Sequence, residues 1–346
     1  MKKKKTIAFL YNVFKEIPDI ERPETFLQAD FDSEETISAI IKNLENCGYD
    51  VIPIEGNEDA YRKLFHHREH IDLAFNYAEG LHGRDRELHI PAMLEMLKIP
   101  YTGCPPLSQG IVFNKARTKE ILLMNNVPTL PFFVFKTGED AEFLAFDLKF
   151  PLIVKPIAQG QSAGITKHSV VYDEECLRRQ VDFVLTTFSQ AALVEPFLDG
   201  REFSVGMLGN PPAVLSIVEL NHGILPEKYP NFASVEVKFA TDESETSGFL
   251  TCPAEIDENL KMKIENMCLA AWHALGIVDW CRVDIRCDSY GNPFILEINS
   301  PASIEPPETV TGYCTFPLSA EKSGISYTEL LHKIINTSFK RYENKN

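Results

Sequence analysis

No C-x-x-C pair occurs in this 346-residue chain, and none of its eight cysteines joins histidines at zinc-binding spacing. A zinc ribbon, a zinc finger and a thioredoxin-type redox pair are therefore excluded. No G-x-G-x-x-G follows the first strand-like run, and no G-x-x-x-x-G-K-[ST] occurs anywhere, so two common nucleotide-binding frameworks have no support. Positive charge is short: 34 Lys plus Arg stand against 50 Asp plus Glu, for a net charge of -16. That balance argues against nucleic acid or an anionic membrane surface as the main partner. No apolar run approaches transmembrane length. The opening MKKKKTIAFLYNVF runs into Lys15, Glu16 and Asp19 with no small-residue cleavage site, which fits a buried first strand rather than a signal peptide. Internal repeats and low-complexity tracts are missing too. Most cysteines sit in apolar runs, as small buried hydrophobes do, so a reducing, cytoplasmic setting is expected.

What is present is an ordinary globular composition, 44% hydrophobic and 24% charged, long enough for two or three domains. Thr6 to Val13 is strand-like. Asp32 and Glu35 are spaced as a capping box, after which Ile37, Ile40, Ile41, Leu44 and Cys47 recur at helical spacing up to Gly48. Further strands are predicted at 51–54 and 71–75, a helix at 88–97, and a short strand around Tyr101. Strands alternating with helices over the first hundred residues imply a parallel α/β domain that binds ligands at its carboxyl edge.

Three later stretches carry chemistry. In the first, an apolar strand, Leu152 to Val154, delivers Lys155, and the loop Gly160-Gln161-Ser162-Ala163-Gly164 follows. Free backbone N–H groups in such a loop can wrap phosphate oxygens, and the lysine adds a point charge for them. The second is ALVEPFLDGREF, where a strand ends at Glu195 and another starts at Glu202. A link of this kind offers backbone amides to an adenine edge, with a carboxylate seven residues on for a ribose. The third is DWCRVDIRCDSYGNPFILEIN, residues 279–299, which reads as two strands around a turn at Asp288–Pro293. Alternation places Arg282, Asp284, Glu297 and Asn299 on one face, with Val283, Ile285, Leu296 and Ile298 on the other. Two carboxylates and an amide oxygen form a hard-oxygen set suited to Mg²⁺.

The ordered series Lys115, IVKP…GQSAG, VEPFLDGREFSV, Lys238, RVDI and LEINSP resembles the ATP-grasp superfamily, most closely the D-alanine–D-alanine ligases and their relatives. The likeness runs from about Thr6 to Leu331 and includes LHGR at 81–84, IPYTG at 99–103 and GISYTELL at 324–331. The resemblance implies an α/β chain, α+β in its ATP-grasp part. It would comprise a Rossmann-like N-terminal domain over 1–104, a central lid over 105–196 and a C-terminal domain with the metal site over 197–346. It also implies a possible homodimer. Lys115 and Lys155 would contact ATP phosphates along with Gly160, Gln161 and Ser162. Glu195, Phe197 and Leu198 would line the adenine pocket, Glu202 would take the ribose, and Lys238 would reach the γ-phosphate. Asp284, Glu297 and Asn299 would hold two Mg²⁺ ions, or Mn²⁺. Arg282, Lys238 and Ser162 would be the catalytic groups.

The expected reaction joins a carboxylate to an amine through an acylphosphate, releasing ADP and phosphate, with D-alanyl-D-alanine or a related amino-acid conjugate as product. A non-catalytic ATP-binding regulator would not need the set Arg282, Asp284, Glu297 and Asn299; a phosphotransferase acting on a small carboxylate or alcohol is the other alternative. The amino-acid end departs from the family. Its substrate-binding Glu has no clear counterpart, Glu16 being nearest. GEDG is replaced by RDRE after His82, Phe239 stands for the family tyrosine, and SPASIEPPETVTGYCTF replaces the usual Ser-Pro-Gly segment.

Overall fold

The structure, a computed structural model, describes residues 4–16, 19, 21–137, 148–239, 247–310 and 313–343. Positions 311–312 of the rewritten segment after Asn299 lie outside the described residues. Three sheets organise the chain. The first is parallel, in the order β2 (Asp50–Glu55), β1 (Thr6–Tyr11), β3 (Leu73–Asn76), with Tyr101 adding a single bridge to Ala74. Strand β1 is buried on both faces, as parallel strands are. Ile7 and Phe9 pack on Leu330, Leu331, Ile334 and Ile335, while Ala8 and Leu10 pack with Leu64, Ile90 and Leu94. The last helix, Tyr327–Glu343, thus shares its core with the first sheet rather than with the segment before it.

The second sheet is antiparallel, in the order β4 (Phe133–Phe135), β7 (Ala192–Pro196), β5 (Leu152–Pro156), β6 (Val170–Val171), and is backed by the helix Glu174–Phe188. The third runs β11 (Leu250–Thr251), β10 (Val218–Leu220), β8 (Glu202–Leu208), β12 (Trp280–Cys287), β13 (Pro293–Asn299), with β9 (Ala213–Val214) also pairing β8. Phe203, Val205, Cys281, Val283 and Ile285 alternate into one core beneath the helix Glu258–Leu275. Val112, Leu122 and Val127 join that core, so the helices Pro106–Phe113 and Lys115–Met124 pack on the C-terminal sheet, and the lid sheet begins only at β4.

One local expectation is corrected. The first long helix, Glu34–Asn46, is capped by Ser33, whose Oγ accepts from the Thr36 N–H at 3.0 Å, so Asp32 is not the cap. The helix at 115–124 carries basic residues, yet Lys115 and Lys119 are buried and do not form a solvated face.

Candidate active site

The hairpin at 280–299 forms the floor of the site. Strands β12 and β13 pair antiparallel, with Arg282 opposite Asn299 and Asp284 opposite Glu297. The turn closes on Asp288, whose Oδ1 accepts from the N–H groups of Tyr290 and Asn292 at 2.9 and 2.8 Å; Gly291 takes φ +81°, which favours glycine. A β-bulge interrupts the register after Asp284, so Ile285 faces Ile295. The bulge overturns part of the expected alternation: Ile295 joins Ile298 in the core, and Leu296 is turned out to line the cleft with Glu297. An extra residue on one strand re-aims every side chain beyond it.

Above this floor lies a cleft between the second and third sheets. Lys155, Gln161 and Ser162 come from the lid side, Pro196, Phe197 and Leu198 from the link, and Lys238, Arg282, Asp284, Arg286 and Glu297 from the C-terminal side. Gln161 and Ser162 take left-handed φ values of +49° and +58°, an uncommon backbone for these residues and one that recurs in ligand-gripping loops. A Cβ on Gly160 would lie 2.3 Å from Asp30 Oδ1, so only glycine lets the loop close against that carboxylate.

Each carboxylate in the cleft has cationic company. Arg282 donates from Nε and Nη2 to Asp284 at 2.9 Å, and Asp284 also accepts from Ser204 Oγ and Asn299 Nδ2. Burial raises the Asp284 carboxyl above its ordinary range, against the pull of Arg282. Lys115 Nζ lies 3.3 Å from Glu297. Burial opposes charge on Glu297, yet Lys115, Lys155 and Arg282 outweigh it and hold the group at about 2. Glu297 is therefore a fixed anion beside a second carboxylate and an amide, a donor set that fits a hard divalent cation. Among the described residues no group of three His, Cys, Asp or Glu side chains has metal-binding geometry, consistent with a site built from only two carboxylates.

Glu202 is not an exposed edge charge. It is buried, accepts from Arg286 Nη1 at 2.8 Å and lies 3.1 Å from His222 Nε2. Burial alone would raise its carboxyl, but His222 and Arg286 keep it below the usual range. Glu195, expected to line an adenine pocket, is enclosed between Lys119 at 2.7 Å and Lys155 at 2.5 Å. Its carboxylate grips lysines instead of presenting a free edge. Lys119 was not singled out from the sequence, where it reads as one more charge on a basic helix.

A second chamber adjoins the floor, lined by Asp30, Tyr77, Glu79 and Glu87 from the N-terminal region together with Lys115, Gly160, Arg282 and Asn299. Asp30 is held by Arg86 Nη2 at 2.5 Å, and Gln109 donates to Glu87 at 2.6 Å. Burial raises both Glu79 and Glu87; the charges of Glu87 and Asp30 add to the rise at Glu79, and that of Asp30 to the rise at Glu87, which reaches about 7. The expected substrate contacts are not brought here. Glu16 is exposed and pairs with Arg22, His82 is exposed beside Glu58, and Phe239 packs edge-on against Phe26; none of the three lines either cavity. Acids flanked by strand ends, such as Asn76-Tyr77-Ala78-Glu79, were the signal that could have located this wall.

A cleft between two antiparallel sheets, cations over its roof and paired carboxylates on its floor, defines an ATP-grasp ligase. The comparisons narrow this further. The family model for the D-ala D-ala ligase C-terminus matches residues 123–336. An uncharacterized protein of Sinorhizobium fredii is 32% identical over 311 residues, 88% of this chain and 87% of that one. The D-alanine–D-alanine ligase of Haemophilus influenzae is 30% identical over 304 residues, 87% and 94% of the two chains. A crystal structure of D-alanine–D-alanine ligase from Bacillus anthracis complexed with ATP shares the fold, with a TM-score of 0.73 at 24% identity over 99% of this chain and 100% of that one. The chain belongs to the D-alanine–D-alanine ligase family.

Proposed function

We propose that this ligase joins two amino acids, activating the carboxylate of one as an acylphosphate and releasing ADP and phosphate. The observation that carries the reading is the pairing of Arg282 with Asn299 and of Asp284 with Glu297 on one hairpin floor, in a cleft that Lys155 lines from the lid side and Lys238 from the C-terminal side. ATP lies along that cleft, with adenine against Phe197, Leu198 and Leu296 and the ribose toward Glu202. Lys115, Lys155, Lys238 and the amides of the 160–164 loop hold the phosphates. Asp284, Glu297 and Asn299 would hold Mg²⁺, two ions on the family pattern, which would supply neutralisation of phosphate charge during transfer. Arg282 borders both cavities, where a tetrahedral oxyanion forms between acyl donor and amine. The loop covering the phosphates excludes water that would hydrolyse the acylphosphate.

The acidic chamber supports amino acids as substrates. Asp30 is neutralised by Arg86, and burial holds Glu79 and Glu87 toward their neutral forms; an ammonium group entering the chamber would supply the missing counter-charge and draw them to the ionised form. D-Alanyl-D-alanine is the default product by resemblance to the family; the departures from the family pattern that reach this chamber, at Glu87 and Ser303, support a related dipeptide nearly as well. Eight unpaired cysteines fit a reducing, cytoplasmic setting. The test is ADP release by purified protein with MgATP and single or paired D- and L-amino acids. Turnover that requires an amino-acid pair supports ligation. ADP release with one acceptor alone, without a dipeptide by mass spectrometry, overturns it.

A further inference from the structure

Behind the nucleotide cleft runs a chain of buried polar contacts that the family motifs do not include. Lys119 is 1% exposed at its side chain. Its Nζ lies 2.7 Å from Glu195 Oε2 and donates to Thr129 Oγ1 at 2.9 Å. Thr129 Oγ1 in turn donates to the Ile295 carbonyl at 2.8 Å, and the Ile295 N–H donates to the Pro128 carbonyl at 3.0 Å. Ile295 sits at the β-bulge that turns Leu296 and Glu297 toward the cleft. At the other end, Glu195 holds Lys155 at 2.5 Å. Glu195 is also the second-last residue of β7, immediately before the link into β8. Four contacts therefore join the lid lysine to the strand that carries Glu297.

Charge makes Lys119 more than a brace. Glu195 and Lys155 alone would form a neutral buried pair, and a neutralised lysine attracts phosphate weakly. A second ammonium on the far side of Glu195 gives the triad a net charge of +1. We propose that Lys119 is a positioning residue for the nucleotide: it offsets the charge of Glu195 so that the triad presents a net positive charge to phosphate through Lys155, and it locks the lid strand to the bulge that seats Glu297. This rests on the assignment of the cleft to ATP.

The test measures binding of ATP, ADP and adenosine to the full-length protein by calorimetry, for wild type, Lys119→Met, Lys119→Gln and Lys119→Arg. Adenosine binding by wild type reports the cleft assignment separately: if neither adenosine nor ATP binds wild type, the functional reading fails before Lys119 is judged. Given wild-type binding, Lys119→Met should weaken ATP by roughly tenfold, the loss of one charge-assisted contact, and adenosine by less than about twofold. Lys119→Arg should restore ATP affinity to within about threefold of wild type. Should Lys119→Met fail to fold, Lys119→Gln carries the same expectation with the polar contacts kept. Unchanged ATP affinity, or equal losses for ATP and adenosine, would overturn the proposal, because a purely structural lysine would not distinguish ligands by their phosphates.

Discussion

Arg341, near the end of the last helix, donates from Nη2 to Asp279 at 2.8 Å at the foot of β12. Asp279 is fully buried and also accepts from the Gly103 N–H, Ser338 Oγ and Asn210 Nδ2. One carboxylate thus ties the end of the N-terminal segment, the turn after β8 and the C-terminal helix to the strand that bears Arg282. Arg341→Met leaves that anion buried with neutral donors only. It should lower stability by about 3 kcal/mol, read as a lower denaturant midpoint, while the ATP KM below the transition stays at its wild-type value. An unchanged midpoint would show that the knot is dispensable.

Glu297 is the proposed metal anchor. Glu297→Gln should cut magnesium-dependent turnover by at least roughly a hundredfold in a protein with native circular dichroism. The sign of its pH effect follows from its depressed value of about 2: its ionised contribution is complete above the ordinary carboxyl range and is lost only as pH falls through about 2. Turnover of the glutamine variant near the wild-type rate would remove Glu297 from the metal site.

Leu296 tests the bulge. Because it lines the cleft, Leu296→Ala should cost under about 1.5 kcal/mol of stability while raising the ATP KM severalfold; Ile295→Ala, inside the core, should cost about 2–5 kcal/mol. The reverse ranking would mean that the strand alternates without interruption.

Asp32 offers a pH test. Burial, reinforced by the nearby Glu305 charge, pushes its carboxyl up to about 8. A carboxyl raised in the folded state stabilises fully below its unfolded pKa of about 4, and that contribution is lost as pH rises through about 8. The melting temperature of Asp32→Asn relative to wild type should therefore climb between pH 5 and pH 8. A difference that is flat across this range would refute the assignment.

The proposed amino-acid wall separates two sets of acids. Glu79→Gln should raise the KM for the amino-acid substrate by roughly tenfold, with little change for ATP. Glu16→Gln and His82→Ala, on exposed surface pairs, should stay within about twofold of wild type for both substrates. A large amino-acid defect in Glu16→Gln alone would return the substrate contact to the first loop.

The legible parts were those in which a residue type and its strand parity act together. Parity along 280–287 placed Arg282 and Asp284 on a polar face and Val283 and Ile285 in the core, because strand side chains must alternate. The Gly160–Gly164 loop after a strand-borne lysine was legible as a tight turn beside a cation; which of its N–H groups stay open was not, since Gly160 N–H donates to Asp30 and Ala163 N–H to the Gly160 carbonyl. Leu296 was not legible, since a bulge is set by what the partner strand and the 128–129 segment impose on it. Lys119 was not either; helical spacing cannot say which of several lysines on a basic helix turns inward.

By itself the sequence determined the inventory: the hairpin of acids and arginine, the lysine-and-glycine loop, the acidic balance and the family series. Only the tertiary structure decided which charges meet. Glu195 and Lys119 are 76 residues apart and pair because two sheets and a helix converge on them, and Glu79 reaches the second chamber while Glu16 stays in water. Pairing of buried charges depends on distance and desolvation, and both are properties of packing between segments that local sequence does not encode.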